Sequence, residues 1–342
     1  MVDIQADHQS TVGLTRRDIL RAAAAGLVIG AGLLVVPKRF FRLPQQAQTF
    51  IAKVDDYQLD IAGVLTRGMM ELGVSRNEIH GKRILLKPNL VETASEAPHI
   101  NTHPLVLRGA IEAFLRLGAA TVMVAEGPGH RRDTLAVYEE SGLADVLTED
   151  RIKFHDLNYI PGYELPNVGG QTTLKTLTFP ALFQEVDLIV SVAKMKTHHW
   201  TGTTLSMKNL FGVMPGRYYG WPKNVLHKMG IQNSILDINA TLKPHFAIVD
   251  GIIGMEGDGP IMGSPKQVGV LVMGRNLPAV DATCCRIMGI DPYKVSYTER
   301  ADNWLGPIGD GSIEQCGETI ASVRTNFELI DTIPAQQGIR LT

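Results

Sequence analysis

Cysteine is scarce in this chain of 342 residues, which contains only Cys284, Cys285 and Cys316 and no C-x-x-C pair. Adjacent cysteines form a strained disulfide, so Cys284 and Cys285 are not expected to bridge. The missing C-x-x-C spacing argues against an iron–sulfur cluster and against a structural zinc site of cysteine type. Neither G-x-x-x-x-G-K-[ST] nor G-x-G-x-x-G occurs, so neither a P-loop nor a dinucleotide site is supported.

The chain also lacks an excess of charge of either sign. Its 33 Lys and Arg residues and 35 Asp and Glu residues give a formal net charge of -2. Such a balance produces no global field toward nucleic acid, and we expect no nucleic-acid partner. Hydrophobic residues make up 44% of the chain, which is enough to bury a core.

The longest apolar run, Ala22 to Val36, has 15 residues and falls short of the roughly 20 that cross a bilayer comfortably. It follows "LTRRDIL", with Arg16 and Arg17 paired, and so resembles a twin-arginine export signal. We therefore assign residues 1–46 to a signal that is either cleaved or kept as a membrane anchor. This resemblance implies the twin-arginine export machinery as a partner and a location in the periplasm, or on the inner membrane facing it.

From residue 50 onward, short apolar runs alternate with amphipathic segments. "KRILLKP" (82–88) and "ATVMVAEG" (120–127) are typical of buried strands, and residues 103–118 place apolar side chains at helical spacing. This order predicts an α/β domain over 50–330, with a mostly parallel sheet covered by helices on both faces and two lobes as an alternative. Ligand sites in such sheets lie at the carboxyl ends of the strands.

Acidic residues are absent over the 49 positions between Asp187 and Asp237, where the average usage of 35 acids in 342 residues gives about five. The segment holds Lys and His residues among hydroxyls and glycines. It predicts an anion site in which ammonium groups and a helix N-terminus near Leu205 meet a carboxylate or phosphate; a solvated basic strip is the alternative. The candidate cation and polar residues here are Lys194, Lys196, Thr197, Lys208, Asn209 and Arg217.

Histidines extend this prediction to proton transfer. His198 is a candidate catalytic residue or a structural one, and His227 lies farther along the same segment. Lys208 is either a desolvated amine suited to base or nucleophilic work, or an exposed helix lysine.

Two earlier stretches of the sequence should also lie at the carboxyl ends of the strands, next to the acid-free segment. "KPNLVET" and "NTHPLV" supply Lys87, Asn89 and His103 at a strand end and the following helix start, and "EGPGHRR" supplies His130 after a strand. Asp250, Glu256 and Asp258, in the glycine-rich "DGIIGMEGDGP", could hold a hard divalent cation, balance the basic segment, or only accompany tight turns.

These motifs together resemble the domain-of-unknown-function 362 family. The matching stretches run from about residue 82 to 305 and are "KPNL", "THP", "EG", "KMKTHHWTGTTLSMKNLFGVMPG", His227, "DGIIGMEGDGP" and "AVDATCCRIMG". A looser similarity links "GHR", His198, Lys208 and His227, in that order, to nickel-pincer lactate racemases. It implies a nickel-type cofactor or another divalent metal, with Lys208 as the cofactor-bearing lysine.

Two hypotheses follow for the function. The first is an exported enzyme that isomerises a small carboxylate, with His198, Lys208, His227 and His130 moving protons or holding a cofactor. The second is a non-catalytic periplasmic protein that binds an anion or a metal. An accessory subunit of a membrane complex is a further reading, which rests on the N-terminal segment as a membrane anchor.

Overall fold

Buried apolar runs supply the strands of the large sheet, as the alternating pattern predicts. The computed structural model describes residues 46–129 and 132–342. The predicted signal of residues 1–46 therefore lies outside the described residues, apart from Gln46. The strands are β1 Ala47–Lys53, β2 Arg83–Pro88, β3 Thr121–Glu126, β4 Phe154–Asp156, β5 Gly162–Pro166, β6 Thr176–Pro180, β7 Leu188–His198, β8 Gly202–Thr204, β9 Phe246–Glu256, β10 Ser264–Gly274 and β11 Ile313–Gly317.

Helices connect these strands and begin at recognisable caps. Asp60 and Asn276, for example, each accept a hydrogen bond from the backbone of the helix that follows. In the described residues the α-helices are α1 Ile61–Glu71, α2 Arg76–Ile79, α3 Pro104–Arg116, α4 Thr134–Glu140, α5 Leu143–Glu149, α6 Ser206–Asn209, α7 Gly216–Tyr219, α8 Asn224–Lys228, α9 Ile231–Leu242, α10 Leu277–Ile287, α11 Ser296–Ala301 and α12 Ile320–Val323.

The fold is α/β with a mostly parallel sheet. Nine strands form it in the path β11-β1-β10-β9-β7-β2-β3-β4, with β8 paired to β7 off this path. Strands β9, β7, β2, β3 and β4 are mutually parallel, whereas β10 is antiparallel to both neighbours. Strands from before and after residue 180 thus share one sheet. Strands β5 and β6 form a separate antiparallel hairpin.

Both faces of the sheet are covered. Leu85 packs into a cluster with α9 and α10, while Ile84 and Leu86 pack into another with α1 and α3. This alternation follows from the period of two along a strand. Helices α8 and α9 are separate rather than one continuous helix, because Gly230 between them has a φ of 91°.

The strand order reverses between β2 and β7. From β2 the chain proceeds outward to β3 and β4, and then returns to place β7 on the opposite side of β2. Connections that leave a sheet in opposite directions open a crevice at the carboxyl ends of the two strands. In this chain those ends are Pro88 and His198.

Candidate functional site

A cavity of about 150 Å³ lies at this reversal point. Its wall includes the residues that follow β2 and β3, the end of β7, and the segment from α6 to α9. The charged and polar residues on the wall are Lys87, Asn89, Glu126, His198, Lys208, Asn209, Lys223 and His227. His198, Lys208 and His227, which are catalytic candidates in the sequence analysis, all line this cavity.

A buried ion pair closes the floor of the cavity. The Lys87 ammonium, 1% exposed, contacts the Glu126 carboxylate and donates to Asn209 Oδ1 at 2.9 Å. The same carboxylate accepts from the backbone N–H of Gly127 at 2.8 Å. Burial lowers the pKa of Lys87, and the adjacent Glu126 opposes that shift. Glu126 thus supplies, from a different strand, a carboxylate that the acid-free segment lacks.

Asn209 fastens β2 to β7 beneath the cavity. Its Nδ2 donates to the carbonyl oxygen of Lys87 and to Ser191 Oγ, both at 3.0 Å. Its Oδ1 accepts from Asn89 Nδ2 at 3.2 Å. Asn89 Oδ1 itself is buried and has no hydrogen-bond partner within the described residues. An orphaned acceptor in a cavity wall is a place for a ligand to donate a hydrogen bond.

Lys208 is the cation left available for a ligand. Within the described residues its ammonium makes no hydrogen bond or ion pair, and its nitrogen lies 5.2 Å from the centre of the Phe211 ring. Burial lowers the pKa of Lys208 to about 8, with a further contribution from Lys87 and opposition from Glu126. Near neutral pH this amine can therefore act as a cation and also exchange a proton.

The N-terminus of α6 does not serve the anion site, which corrects the prediction. The backbone N–H groups of Ser206 and Met207 donate to the Asp281 carboxylate at 2.7 and 3.1 Å. Asp281 comes from α10 and is fully buried. A carboxylate already occupies the positive end of α6, so these amides are not available to a ligand.

His198 and His227 have opposite tautomers. His198 Nδ1 accepts from the backbone N–H of Trp200 at 3.0 Å, which places the proton of the neutral ring on Nε2. His227 Nδ1 faces the carbonyl oxygen of Lys223 at 3.1 Å and must donate to it, which leaves a lone pair on Nε2. Burial lowers the pKa of both rings, most strongly that of His198. The wall therefore carries one N–H donor and one imidazole base.

Lys223 organises the upper wall of the cavity. Its side chain is 1% exposed, and its ammonium donates to the carbonyl oxygens of Gly127 at 2.8 Å and Gly212 at 3.2 Å and also contacts that of Met214. Burial lowers the pKa of Lys223 to about 7, opposed by Glu126 and reinforced by Lys87. Lys223, Glu126 and Trp200 are absent from the sequence-based site, although Glu126 and Trp200 lie inside the quoted stretches "EGPGHRR" and "KMKTHHWTGTTLSMKNLFGVMPG".

A family comparison adds to this geometry. Residues 84–286 match the model of the family described as Domain of unknown function (DUF362). The chain belongs to the DUF362 family. The matched region lies inside the domain predicted over 50–330, whose limits stay a prediction. It contains every cavity residue named above.

Relatives of this DUF362 protein are distant. A thylakoid-associated protein of Synechocystis sp. is 27% identical over 239 residues, covering 66% of this chain and 68% of that protein. A crystal structure of a Thermotoga maritima protein is 16% identical with a TM-score of 0.41, covering 68% of this chain. The lactate racemase apoprotein of Thermoanaerobacterium thermosaccharolyticum is 17% identical with a TM-score of 0.42, covering 72%. This chain spans 59% of the length of each of these two solved chains.

Several residues predicted for the site lie elsewhere in the DUF362 domain. Lys194 is paired with the Asp250 carboxylate at 2.8 Å, and both are fully buried. Lys196 donates to the carbonyl oxygens of Ile100 and Pro260 at 2.8 and 3.1 Å. Thr197 Oγ1 donates to a loop carbonyl and does not line the cavity. These side chains satisfy one another or the backbone, so they do not orient a ligand in the cavity.

His103 and Arg217 are also outside the cavity. His103 stacks on Tyr57 with ring centres 3.6 Å apart, and its Nδ1 accepts from the Leu105 backbone as the N-cap of α3. Arg217 donates to the Tyr159 carbonyl oxygen at 2.8 Å on the surface. His130 lies outside the described residues, so its predicted role stays a prediction.

The predicted cation site is not assembled from Asp250, Glu256 and Asp258. Asp250 and Glu256 lie on one extended strand, β9, six positions apart, which separates them by roughly 20 Å. Glu256 is paired with Lys266 at 3.0 Å, and Asp258 lies 3.5 Å from His199. Over residues 46–129 and 132–342 there is no group of three or more His, Cys, Asp or Glu side chains that could hold a metal ion. The same residues include no helix long and apolar enough to cross a bilayer.

Proposed function

We propose that the chain is an enzyme that binds a small carboxylate in the cavity and moves a proton at the carbon next to it. The observation that carries this proposal is the convergence of an unpaired amine, Lys208, with two imidazoles of opposite tautomer, His198 and His227. A merely structural cluster would pair these groups with one another, as Lys194 and Asp250 are paired.

The ligand's negative charge is recognised by Lys208. Among the described residues, the cavity wall carries three lysines, Lys87, Lys208 and Lys223, and one carboxylate, Glu126. Lys87 and Lys223 already have their donors engaged with Glu126 and with backbone carbonyls. A carboxylate in the cavity would therefore pair with Lys208, and the Nε2–H of His198 would donate a second hydrogen bond.

Proton transfer would begin at His227. Its Nε2 lone pair removes the proton from the carbon next to the carboxylate, and the electron pair of that C–H bond moves into the carboxylate. Lys208 and His198 stabilise the added negative charge. Return of the same proton from His227 restores the starting acid, whereas donation from the Lys208 ammonium gives the other isomer. After inversion His227 holds the abstracted proton and Lys208 has lost one, and proton exchange with water restores both groups. Neither outcome needs an oxidant or a reductant.

A bound cofactor fits part of this donor set. The Lys208 amine is free for attachment, and His227 Nε2 offers an imidazole lone pair to a metal such as nickel. His198 does not fit as a metal ligand, because its Nδ1 accepts a backbone N–H and its Nε2 carries the proton. A metal-bearing cofactor held there would supply an electrophile. It would also occupy the Lys208 amine and the His227 lone pair, so the proton steps above are those of the chain without it.

We also propose that the chain acts outside the cytoplasm, in the periplasm or at the inner membrane. Two observations support this location. The first is the paired Arg16 and Arg17 before an uncharged apolar run. The second is the thylakoid association in the name of the Synechocystis relative.

Exchange of the proton next to the carboxylate with deuterium is the direct test. The purified chain is incubated in D₂O with 2-substituted carboxylates such as mandelate, and proton NMR follows the loss of the α-proton signal while chiral chromatography follows inversion. We expect exchange that disappears in His227→Gln and persists in His80→Gln, an exposed histidine away from the cavity. Binding of the carboxylates without exchange would contradict catalysis and favour the non-catalytic binding protein.

A further inference from the structure

The imidazole base of the cavity is enclosed by aromatic rings. His227 lies edge-on between Trp200 and Phe211, with ring centres 5.3 and 5.2 Å away. Phe211 is buried at 6% exposure, while Trp200 is 55% exposed and forms part of the cavity wall. An aromatic wall offers its faces and edges to another flat apolar group.

The remaining wall has few polar atoms left for a ligand. Within the described residues, the polar side chains that line the cavity are bonded to one another or to the backbone, apart from Lys208, the two Nε2 atoms, the Trp200 indole N–H and Asn89 Oδ1. The wall is completed by Leu90, Val91, Pro222, Ile231 and Ile261. Hydroxyl groups buried against these side chains would lose hydrogen bonds to water without replacement.

The size of the cavity limits the ligand further. Its volume of about 150 Å³ is comparable to that of apolar protein cavities of about 150 Å³ that bind benzene. One ring, or a branched hydrocarbon of similar size, fits within the cavity.

We propose that the ligand of the cavity is a carboxylate whose body is a single ring or a compact branched hydrocarbon, held beside Trp200 and Phe211. This proposal rests on the proposed function for the position of the carboxylate at Lys208. Asn89 Oδ1 would accept a hydrogen bond from a hydroxyl or other donor near the charged end. The preference for a ring or a branched hydrocarbon is a separate property from proton transfer. An experiment can therefore contradict one proposal without contradicting the other.

Matched acids test this selection. Mandelate and glycolate share a 2-hydroxy carboxylate and differ in the phenyl ring, so isothermal titration calorimetry of the full chain with each acid isolates the contribution of the ring. We expect mandelate to bind roughly 10- to 100-fold more tightly than glycolate. Gluconate, which replaces the ring by hydroxyl groups, should bind no better than glycolate.

Substitutions of Trp200 test whether its ring causes the preference for mandelate over glycolate. Trp200→Ala should reduce mandelate affinity several-fold and leave glycolate unchanged, and Trp200→Phe should restore most of the difference. Tyr293→Ala removes an exposed aromatic side chain outside the cavity and should change neither affinity. Equal binding of the two acids by the unmodified chain would overturn this inference and leave the carboxylate site standing. Binding of neither acid would overturn both proposals.

Discussion

His227 Nδ1 donates to the carbonyl oxygen of Lys223, one helical turn earlier, across 3.1 Å. The ammonium of Lys223 also donates hydrogen bonds to two carbonyl oxygens. One belongs to Gly127, in the loop after β3, and the other to Gly212, in the turn after α6. One residue thus fixes the tautomer of the imidazole base through its backbone and joins two walls of the cavity through its side chain. Lys223 therefore acts as a positioning residue for His227.

Lys223 should impose a pH dependence on stability. Its pKa is lowered to about 7 in the folded chain from an ordinary value of 10.5. Between these values the unfolded chain binds the additional proton, so the free energy of unfolding should rise as pH increases from 7 toward 10.5, by at most about 1.4 kcal/mol per pH unit. Urea unfolding at several pH values measures this slope. Lys223→Met should reduce this slope, and the remainder comes from other lysines with lowered pKa values, such as Lys208. An unchanged slope in that variant would contradict the assignment.

Lys208 should control carboxylate binding above neutral pH. Because its pKa is lowered to about 8, the ammonium loses its proton as pH rises through 8, and affinity for mandelate should then fall about tenfold per pH unit. Lys208→Arg keeps its charge and should hold the affinity constant up to pH 10. Calorimetric titrations at pH 7, 8, 9 and 10 compare the two chains. A parallel decline in both would place the titrating group elsewhere.

The sheet and the general position of the site could be predicted from sequence, because strand and helix periods are local properties. The partners of the buried lysines could not. Lys194 lies directly beside Asp250 in the register of β7 and β9, although 56 residues separate them along the chain. The stretch between Asp187 and Asp237 contains no acidic residue in sequence, but carboxylates from other elements lie beside it in the fold. These are Asp250 of β9, Glu126 of β3 and Asp281 of α10.

The cavity residues missed by the sequence prediction share a physical reason. Lys223 reaches the cavity wall because its backbone has a φ of 69° and its ammonium donates to carbonyl oxygens of distant loops. Neither feature can be recognised from residue spacing in the sequence. Glu126 ends a strand like many other residues, and only the pairing of β2 with β3 places it beside Lys87. Lys196 and Thr197, which are predicted for the site, do not line the cavity, and their side chains donate to backbone carbonyl oxygens instead.

The Lys87–Glu126 pair should be costly to break from one side. Glu126→Gln leaves the Lys87 ammonium buried without its counter-charge and should destabilise the chain by about 3–5 kcal/mol. Lys87→Met combined with Glu126→Leu removes both charges and should recover part of that loss. A double-mutant cycle in urea, built from Lys87→Met, Glu126→Leu and the variant that combines them, gives the coupling. Additive effects would indicate that the two groups do not stabilise each other.

The N-terminal arginines should decide where the chain is found. Arg16→Lys with Arg17→Lys preserves the charge of the segment but alters the pair that resembles a twin-arginine signal. We expect the unmodified chain in the periplasmic or membrane fraction and the double variant in the cytoplasm. Fractionation with immunoblotting measures the distribution. Arg39→Lys, outside the motif, is the matched control, and export of the double variant at the normal level would argue against this route.

Gly212 should be intolerant of any side chain, because it lies against the buried ion pair. A Cβ built there would come within 2.2 Å of Glu126 Oε1 and 2.8 Å of Lys87 Nζ. Gly212→Ala should therefore displace the pair, lower stability by about 1–3 kcal/mol and weaken mandelate binding. Gly311→Ala is the control, since a Cβ at Gly311 meets no atom within 4 Å. Thermal unfolding and calorimetry compare both variants, and normal binding by a stably folded Gly212→Ala chain would show that the position of the ion pair does not shape the cavity.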